Sequence, residues 1–190
     1  MANGTLKVSN IETSSGSGTI TIGQSGETIT VPSGATISGS IANTPAFEAF
    51  QSVAQTPSLS TYVKLTMTSE SFDTDSAYDA TNSKFTVPSG KAGKYLFLLS
   101  AGGYDNDTGL DIFRLVIYKN GAQVRFDNIL DTDQSSIQTS FGTCVGILDL
   151  AASDYIEAYI YASSNGGTYT TLHESSGLLQ TRFAGYRLIG

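Results

Sequence analysis

The chain has 190 residues and carries 10 Lys and Arg against 17 Asp and Glu, a formal net charge of −7. This length fits one domain with an appendage. The negative charge offers no source for the phosphate neutralisation that drives binding to nucleic acid or to anionic membranes, so neither is a predicted partner. No stretch approaches the apolar length of about 18 residues that a membrane span needs, so membrane insertion is not predicted either. The first residues also lack the apolar core of an export signal, which favours folding in the cytoplasm.

Residues 1–44 differ in composition from the rest of the chain. They hold no aromatic side chain, whereas all Phe and Tyr occur from Phe47 onward, which predicts an N-terminal arm (1–44) followed by one domain (45–190). Within the arm, Thr alternates with Ile or Val in segments that end at Gly or at Pro-Ser-Gly. This pattern predicts short strands that turn at glycine. The apolar residues of these segments are Ile20, Ile22, Ile29, Val31 and Ile37.

The arm has too few apolar side chains to order itself. Fixing the backbone costs roughly 1–2 kcal/mol per residue, and each segment offers one or two apolar side chains on one face. We therefore expect the five apolar residues to form the core of a stem in which three chains pair. The alternative is a Ser/Thr/Gly tail without fixed structure.

From Phe47 onward the sequence predicts strands and no amphipathic helix. The predicted strands cover residues 62–67, 84–87, 95–101, 112–118, 123–126, 145–150, 155–162 and 182–189. Asn120-Gly121 lies between two of them and predicts a two-residue hairpin turn, in which both central residues need positive φ. Gly102-Gly103 is interpreted as a turn at the end of a strand. This number of strands in one domain predicts an all-β sandwich or jelly roll.

The segment 155–162 has two different faces. Alternation places Tyr155, Tyr159 and Tyr161 on one face and aliphatic residues on the other, which should point into the sandwich. The tyrosines are then expected either in a subunit interface, where Tyr supplies area and a hydroxyl, or beneath a loop of the same chain.

The sequence offers little support for catalysis. Cys144 is the only cysteine, and its small and apolar neighbours predict a buried, inert thiol suited to a reducing compartment. His173 is the only histidine and lies in a polar segment, so it has no partner for a metal pair. No nucleophile or phosphate-binding motif occurs.

Two kinds of binding site are weaker possibilities. The residues Asp105, Asp107 and Asp111 resemble the start of a calcium loop, but Val116 stands where the bidentate Glu is expected. The alternative is a solvated turn. No other cofactor is predicted. Segments that combine small polar residues with Tyr suit contacts with a host surface glycan or protein, and equally suit inert loops. The candidate receptor-contact residues are Tyr104, Asn165, Tyr169 and His173.

Several short motifs in residues 45–190 resemble the globular head of complement 1q and its tumour-necrosis-factor-like relatives. In chain order they are Pro45-Ala46-Phe47, Phe72-Asp73, Tyr78-Asp79, Lys84-Phe85-Thr86-Val87-Pro88, Gly93-Lys94-Tyr95-Leu96-Phe97 and Phe183-Ala184-Gly185-Tyr186-Arg187-Leu188. The resemblance implies a jelly roll that assembles as a homotrimer, with aromatic residues lining the threefold axis. By these matches Tyr95, Phe97, Tyr159, Tyr161, Phe183 and Tyr186 are candidates for the core or the axis. Sequence does not separate the two roles.

The N-terminal repeat is similar to segments of bacteriophage fibres, spikes and capsid-attached knobs. With a trimer-forming head, this similarity predicts a non-enzymatic virion structural protein that assembles in the host cytoplasm. Its arm would dock to other virion proteins of capsid or tail, and its head would be exposed as a capsid decoration, head fibre or short tail fibre. The alternatives are a receptor-binding tail-fibre tip and a secreted trimeric module that binds glycans or proteins. A glycan hydrolase is the third reading, and it requires two carboxylates facing each other across a cleft.

Overall fold

The computed structural model describes residues 7–13, 18–36, 44–106, 109–131, 137–164, 166–175, 177–178 and 180–188. The chain divides into two compact units, Met1–Ile37 and Ser38–Gly190, and each is described by itself. The boundary predicted between residues 44 and 45 stays a prediction. No helix in the described part of the chain is long and apolar enough to cross a membrane.

The first unit has turns but no strand among its described residues. The backbone N–H of Glu27 donates to the carbonyl of Gln24, and that of Ala35 donates to the carbonyl of Pro32. Gly26 and Gly34 take the third position of these turns with φ of 88° each, which glycine tolerates. The turns at glycine are therefore confirmed. The short strands predicted at 19–22 and 28–31 are not formed within one chain, and as strands paired between chains they stay a prediction.

The apolar residues of the first unit are exposed. Ile22 is 62% exposed and Ile29 is 63% exposed, and Ile20 and Val31 are also open to solvent. Ile37 lies outside the described residues. A stem core made of these side chains is not formed within one chain and stays a prediction about an assembly.

The described part of the second unit contains twelve strands and no helix. All eight predicted strands are present, and four short strands are additional. The strands are β1 (Ala46–Phe50), β2 (Tyr62–Lys64), β3 (Ser69–Asp73), β4 (Tyr78–Asp79), β5 (Lys84–Thr86), β6 (Gly93–Asp105), β7 (Leu110–Lys119), β8 (Ala122–Asp131), β9 (Thr139–Leu150), β10 (Tyr155–Ser164), β11 (Tyr169–Thr171) and β12 (Arg182–Arg187).

The strands form two six-stranded antiparallel sheets. In the first sheet, β9 pairs with one side of β6. On the other side of β6, β12 pairs with its N-terminal part and β11 with its C-terminal end. β1 and then β3 follow beyond β12. In the second sheet the order is β4, β5, β10, β7 and β8, and β2 also pairs with β10. The chain therefore crosses between the sheets several times.

The pairing of early strands with late ones is nested. The first strand, β1, pairs with the last, β12, and within that pair lie β5 with β10, β6 with β9 and β7 with β8. An antiparallel double ribbon folded in this way is a jelly roll. The predicted all-β jelly-roll fold is confirmed.

Aromatic rings fill the space between the two sheets. Phe47 stacks on Tyr78 and on Phe85, with ring centroids 4.9 Å and 5.0 Å apart, and its ring also meets Phe97 and Phe183. The second sheet contributes the aliphatic face of β10, which is buried as predicted. The members of that face are Ile156, Ala158, Ile160 and Ala162. Offset and edge contacts of this kind add to the free energy of burying the rings.

Two turns at one end of the sandwich are joined by a carboxylate. Asn120 and Gly121 have φ of 51° and 79°, so the predicted hairpin turn between β7 and β8 is confirmed. Asp154 accepts hydrogen bonds from the Lys119 ammonium at 2.8 Å, from the Asn120 side chain at 2.7 Å and from the backbone N–H of Ala151 at 2.8 Å. These bonds favour the ionised form and lower the pKa of Asp154 to about 2.

The turn predicted at Gly102-Gly103 is wrong, because β6 continues through both residues to Asp105. The two glycines allow the neighbouring strands to approach the backbone of β6 closely. A Cβ on Gly102 would lie 2.6 Å from the carbonyl oxygen of Ser140, and one on Gly103 would lie 2.4 Å from the carbonyl oxygen of Thr170. Neighbouring backbone on both sides of β6 therefore excludes any side chain here.

Candidate functional site

The outer face of the first sheet is apolar near one end of β6. Residues that lie opposite each other in an antiparallel ladder point to the same side of the sheet. One row of such opposite residues crosses β9, β6 and β12 and consists of Ile147, Leu96 and Tyr186. The next row consists of Val145, Leu98 and Ala184. We call these six residues the apolar face. Their alternating neighbours point into the core, so each of these three strands is apolar on both sides.

The apolar face is open to solvent in a single chain. Ile147 is 54% exposed, Val145 is 52% exposed and Tyr186 is 39% exposed. Phe72 on β3 continues the second row beyond Glu48 and is 49% exposed. Contiguous exposed apolar surface of this kind marks sites of protein association.

Polar pairs border the apolar face. In the row that follows Val145, the hydroxyls of Ser100 and Thr143 are 2.8 Å apart. At the other side of the sheet, the Arg182 guanidinium lies 4.0 Å from the carboxylate of Glu48. An apolar centre with a polar border is the usual anatomy of a subunit interface.

The tyrosine row lies on the opposite, second sheet. Tyr159 stacks on Tyr118 with ring centroids 4.1 Å apart, and Tyr161 meets Tyr62 at 5.0 Å. Arg114 lies 5.6 Å from the centre of the Tyr161 ring. Burial raises the pKa of Tyr118 and the pKa of Tyr159, because the rings cover each other.

A buried acid lies beside these rings. Glu157 is 8% exposed, and its carboxylate accepts a hydrogen bond from the Lys64 ammonium at 3.1 Å. The tyrosines form a layer whose rings pack on each other within one chain. The rings of Tyr155, Tyr159 and Tyr161 are each half-buried. A role for these three in an interface stays a prediction.

Three other predicted interface residues lie in the core. Tyr95, Phe97 and Phe183 are at most 1% exposed, and they pack between the two sheets of one chain. They point inward because they alternate with Leu96, Leu98 and Ala184 along their strands. For these residues the expectation of an axial contact is corrected to a core position. Of the predicted aromatic set, only Tyr186 belongs to the apolar face.

No protein-family model matches the chain, and no curated protein matches it. Solved structures similar to it include the globular domain of zebrafish complement 1qA protein, with 15% sequence identity and a TM-score of 0.48. Another is murine APRIL, with 12% identity and a TM-score of 0.49. Each likeness covers 76% of this chain and 98% of the other. These likenesses concern the fold alone.

A pocket of about 230 Å³ lies where β11 pairs with the C-terminal end of β6. It brings together two predicted receptor-contact residues, Tyr104 and His173. Tyr104 is 44% exposed. Tyr169 is fully buried, so its expected contact with a receptor is wrong; its ring packs inward against Phe113 at 5.8 Å. Asn165 lies outside the described residues.

The calcium expectation stays untested. Asp105 ends β6 with its side chain buried, and Asp111 lies in β7. Asp107 lies outside the described residues. Within the described ranges, no group of three or more His, Cys, Asp or Glu side chains is placed to hold a metal ion.

Cys144 is buried at 1% exposure, as predicted. Burial raises the pKa of its thiol to about 11, which keeps it protonated and unreactive at neutral pH.

Sequence reasoning missed most of the apolar face. The signal was present in β9, where Val145 and Ile147 alternate with Cys144 and Leu148, so that both faces of one strand are apolar. A strand that is apolar on both faces indicates a sheet that is covered on both sides. The tyrosine pattern of β10 drew attention away from it, since aromatic residues are the commoner sign of an interface.

Proposed function

We propose that the chain is a non-enzymatic structural protein of a bacteriophage particle, built as a homotrimer through the apolar face of its jelly-roll head. Residues 1–44 dock to other proteins of the virion, and the head projects outward. The observation that carries the proposal is the exposure of Val145 and Ile147, each above one half, at the β9 edge of the apolar face. Burying such a face against copies of the same chain removes apolar surface from water at roughly 25 cal/mol per Å².

The first unit supports an assembly of several chains. Ile22 and Ile29 are each more than half exposed in a single chain. Side-by-side copies would cover them and would supply the ladder that a lone segment lacks. The resemblance of the head to complement 1q and related heads favours three copies. The similarity of the repeat to phage fibre and knob segments favours a virion, and assembly in the host cytoplasm suits the buried thiol of Cys144.

The test is the solution mass of the full chain, measured by light scattering behind a sizing column. We expect three chains of 20.0 kDa each. The variant Ile147→Lys places a charge within the apolar face and should give single chains, because burying an unpaired ammonium is costly. The variant Tyr161→Lys places the same charge in the tyrosine row and should remain trimeric.

The outcomes separate the two faces. Dissociation by Tyr161→Lys but not by Ile147→Lys would assign the interface to the tyrosine row and reject the apolar face. If the unmodified protein has the solution mass of a single chain, the proposed trimer is rejected. Labelled antibody on intact particles would then test the virion location independently of the mass.

The pocket beside Tyr104 favours a second candidate function, a receptor-binding fibre tip. The two candidates share the trimeric head and differ in what the exposed end contacts. A ligand for that pocket would distinguish them.

A further inference from the structure

We infer that the pocket between β11 and β6 binds one ring of a neutral saccharide. This inference goes beyond the proposed assembly, because the pocket lies within a single chain and uses other residues. Its lining includes Tyr104, Thr170, His173, Ser175 and Gln180.

The pocket is held by a fixed framework. β11 pairs with β6 in a register that sets Thr170 directly opposite Tyr104, so both side chains point outward together. The ring of the adjacent Tyr169 is fully buried and anchors β11, and Gly103 leaves room for it. Beyond β11, the backbone N–H of Leu172 donates to the carbonyl of Gly102 at 2.8 Å. This wall of the pocket is formed before binding, so it loses little conformational freedom when a ligand enters.

The lining chemistry selects an uncharged, hydroxyl-rich ligand. None of the lining residues is Asp, Glu, Lys or Arg, in a chain that has 27 of them. The polar groups are the hydroxyls of Thr170 and Ser175, the amide of Gln180 and the imidazole of His173, all of which can donate or accept hydrogen bonds. Such groups match sugar hydroxyls, whereas a charged ligand would find no ionic partner.

Tyr104, Ala54 and Leu172 supply the apolar part of the site. Tyr104 is 44% exposed and lines the pocket, and its ring is the group that would stack on the C–H face of a sugar. The volume of about 230 Å³ suits a single six-membered ring. A drug-sized ligand needs roughly 300–1,000 Å³, and a cavity of about 150 Å³ is enough for benzene.

The test is saturation-transfer NMR on the full chain. The probes are the neutral sugars methyl glucoside, methyl galactoside and N-acetylglucosamine, with glucuronic acid and glucosamine as charged counterparts. We expect transfer to the ring protons of at least one neutral sugar, with a dissociation constant on the order of 1 mM for a ligand of this size. Tyr104→Ala should weaken that binding by roughly tenfold.

Tyr62→Ala is the matched control, because Tyr62 is also a partly exposed tyrosine but lies on the second sheet. It should leave sugar binding unchanged. His173→Ala changes a pocket residue outside the strands and gives a second variant if Tyr104→Ala does not fold; it too should weaken binding. The inference is rejected if no neutral sugar shows transfer at about 10 mM. It is also rejected if both pocket variants bind like the unmodified chain, or if a charged counterpart binds more tightly than its neutral analogue.

Discussion

Gly185 permits close packing of aromatic rings in the core, and adding one methyl group there tests the fold. A Cβ at this position would lie 2.6 Å and 2.7 Å from two ring carbons of Phe97 and 2.8 Å from the Phe47 ring. Carbon atoms at contact are about 3.5–4.0 Å apart, so the rings would have to move by roughly 1 Å. They cannot move freely, because Phe97 also packs against Phe183 with ring centroids 5.7 Å apart.

The expected loss of stability follows from these distances. Overpacking a core costs about 1–3 kcal/mol, and replacing glycine by alanine in a strand returns about 0.4–1 kcal/mol through the unfolded chain. We therefore expect Gly185→Ala to lower the free energy of unfolding by about 1–2 kcal/mol and Tm by roughly 2–8 °C. The assay is thermal unfolding followed by circular dichroism, with all variants at one chain concentration, because assembly makes Tm depend on concentration.

Gly146→Ala is the matched control, in another strand of the same sheet. Its Cβ would lie 2.8 Å from the Cγ of Arg125, whose exposed side chain can change rotamer at a cost of about 0.5–1.5 kcal/mol. The change in stability should stay within about 1 kcal/mol, because the same entropic gain offsets this cost. Equal Tm values for the two variants would refute the reasoning. The same test can be made in a Phe97→Leu background, which removes most of the clash. If Gly185→Ala lowers the free energy of unfolding there by as much as in the unmodified chain, the reasoning is also refuted.

Three further predictions concern the turns and the thiol. Asp154→Asn should lower the free energy of unfolding by about 1–2 kcal/mol at pH 6. Because the folded pKa of about 2 lies below the ordinary value of about 3.9, this difference should shrink as pH falls from 4 to 2; a difference independent of pH would contradict the assignment. Gly121→Ala places a side chain at φ of 79° and should cost about 1 kcal/mol in urea denaturation, whereas an unchanged midpoint would show that the turn tolerates it. The Cys144 thiol, with its pKa raised to about 11, should resist iodoacetamide at pH 8 in the native protein and react in urea; rapid native labelling would contradict its burial.

The sequence predicted the long strands better than the short ones. Strands such as β7 and β10 carry strong alternation or β-branched runs, and these patterns are local. β3, with the sequence Ser-Glu-Ser-Phe-Asp, has no such pattern and is a strand because β1 lies beside it. Where the strand propensity of a segment is weak, pairing with a strand distant in sequence therefore decides whether it forms a strand.

For a related reason, the sequence could not separate aromatic residues in the core from aromatic residues in a subunit interface. Phe97 and Leu98 are adjacent and both apolar, and only the register of β6 with β9 and β12 decides which one faces the core. A shift by one residue would exchange them. The hairpin turn needed no such information, because Asn120-Gly121 specifies it locally.

The apolar face and the sugar pocket share one strand, and this links the two proposals. Leu98 and Tyr104 are six residues apart on the same side of β6, about 20 Å along the strand. A trimer formed through the apolar face would hold three pockets in one fixed arrangement. Binding of several pockets to one surface raises the overall affinity by roughly 10²–10⁴ without any new contact.

This linkage makes a prediction that neither proposal makes alone. On a sensor surface densely coated with the preferred sugar, the unmodified chain should dissociate far more slowly than Ile147→Lys, although both show the same affinity for the free sugar in solution. On a sparsely coated surface the two should behave alike, because a second pocket then finds no ligand within reach. Equal dissociation rates on the dense surface, from a chain shown to be trimeric, would mean that the three pockets cannot reach one surface together.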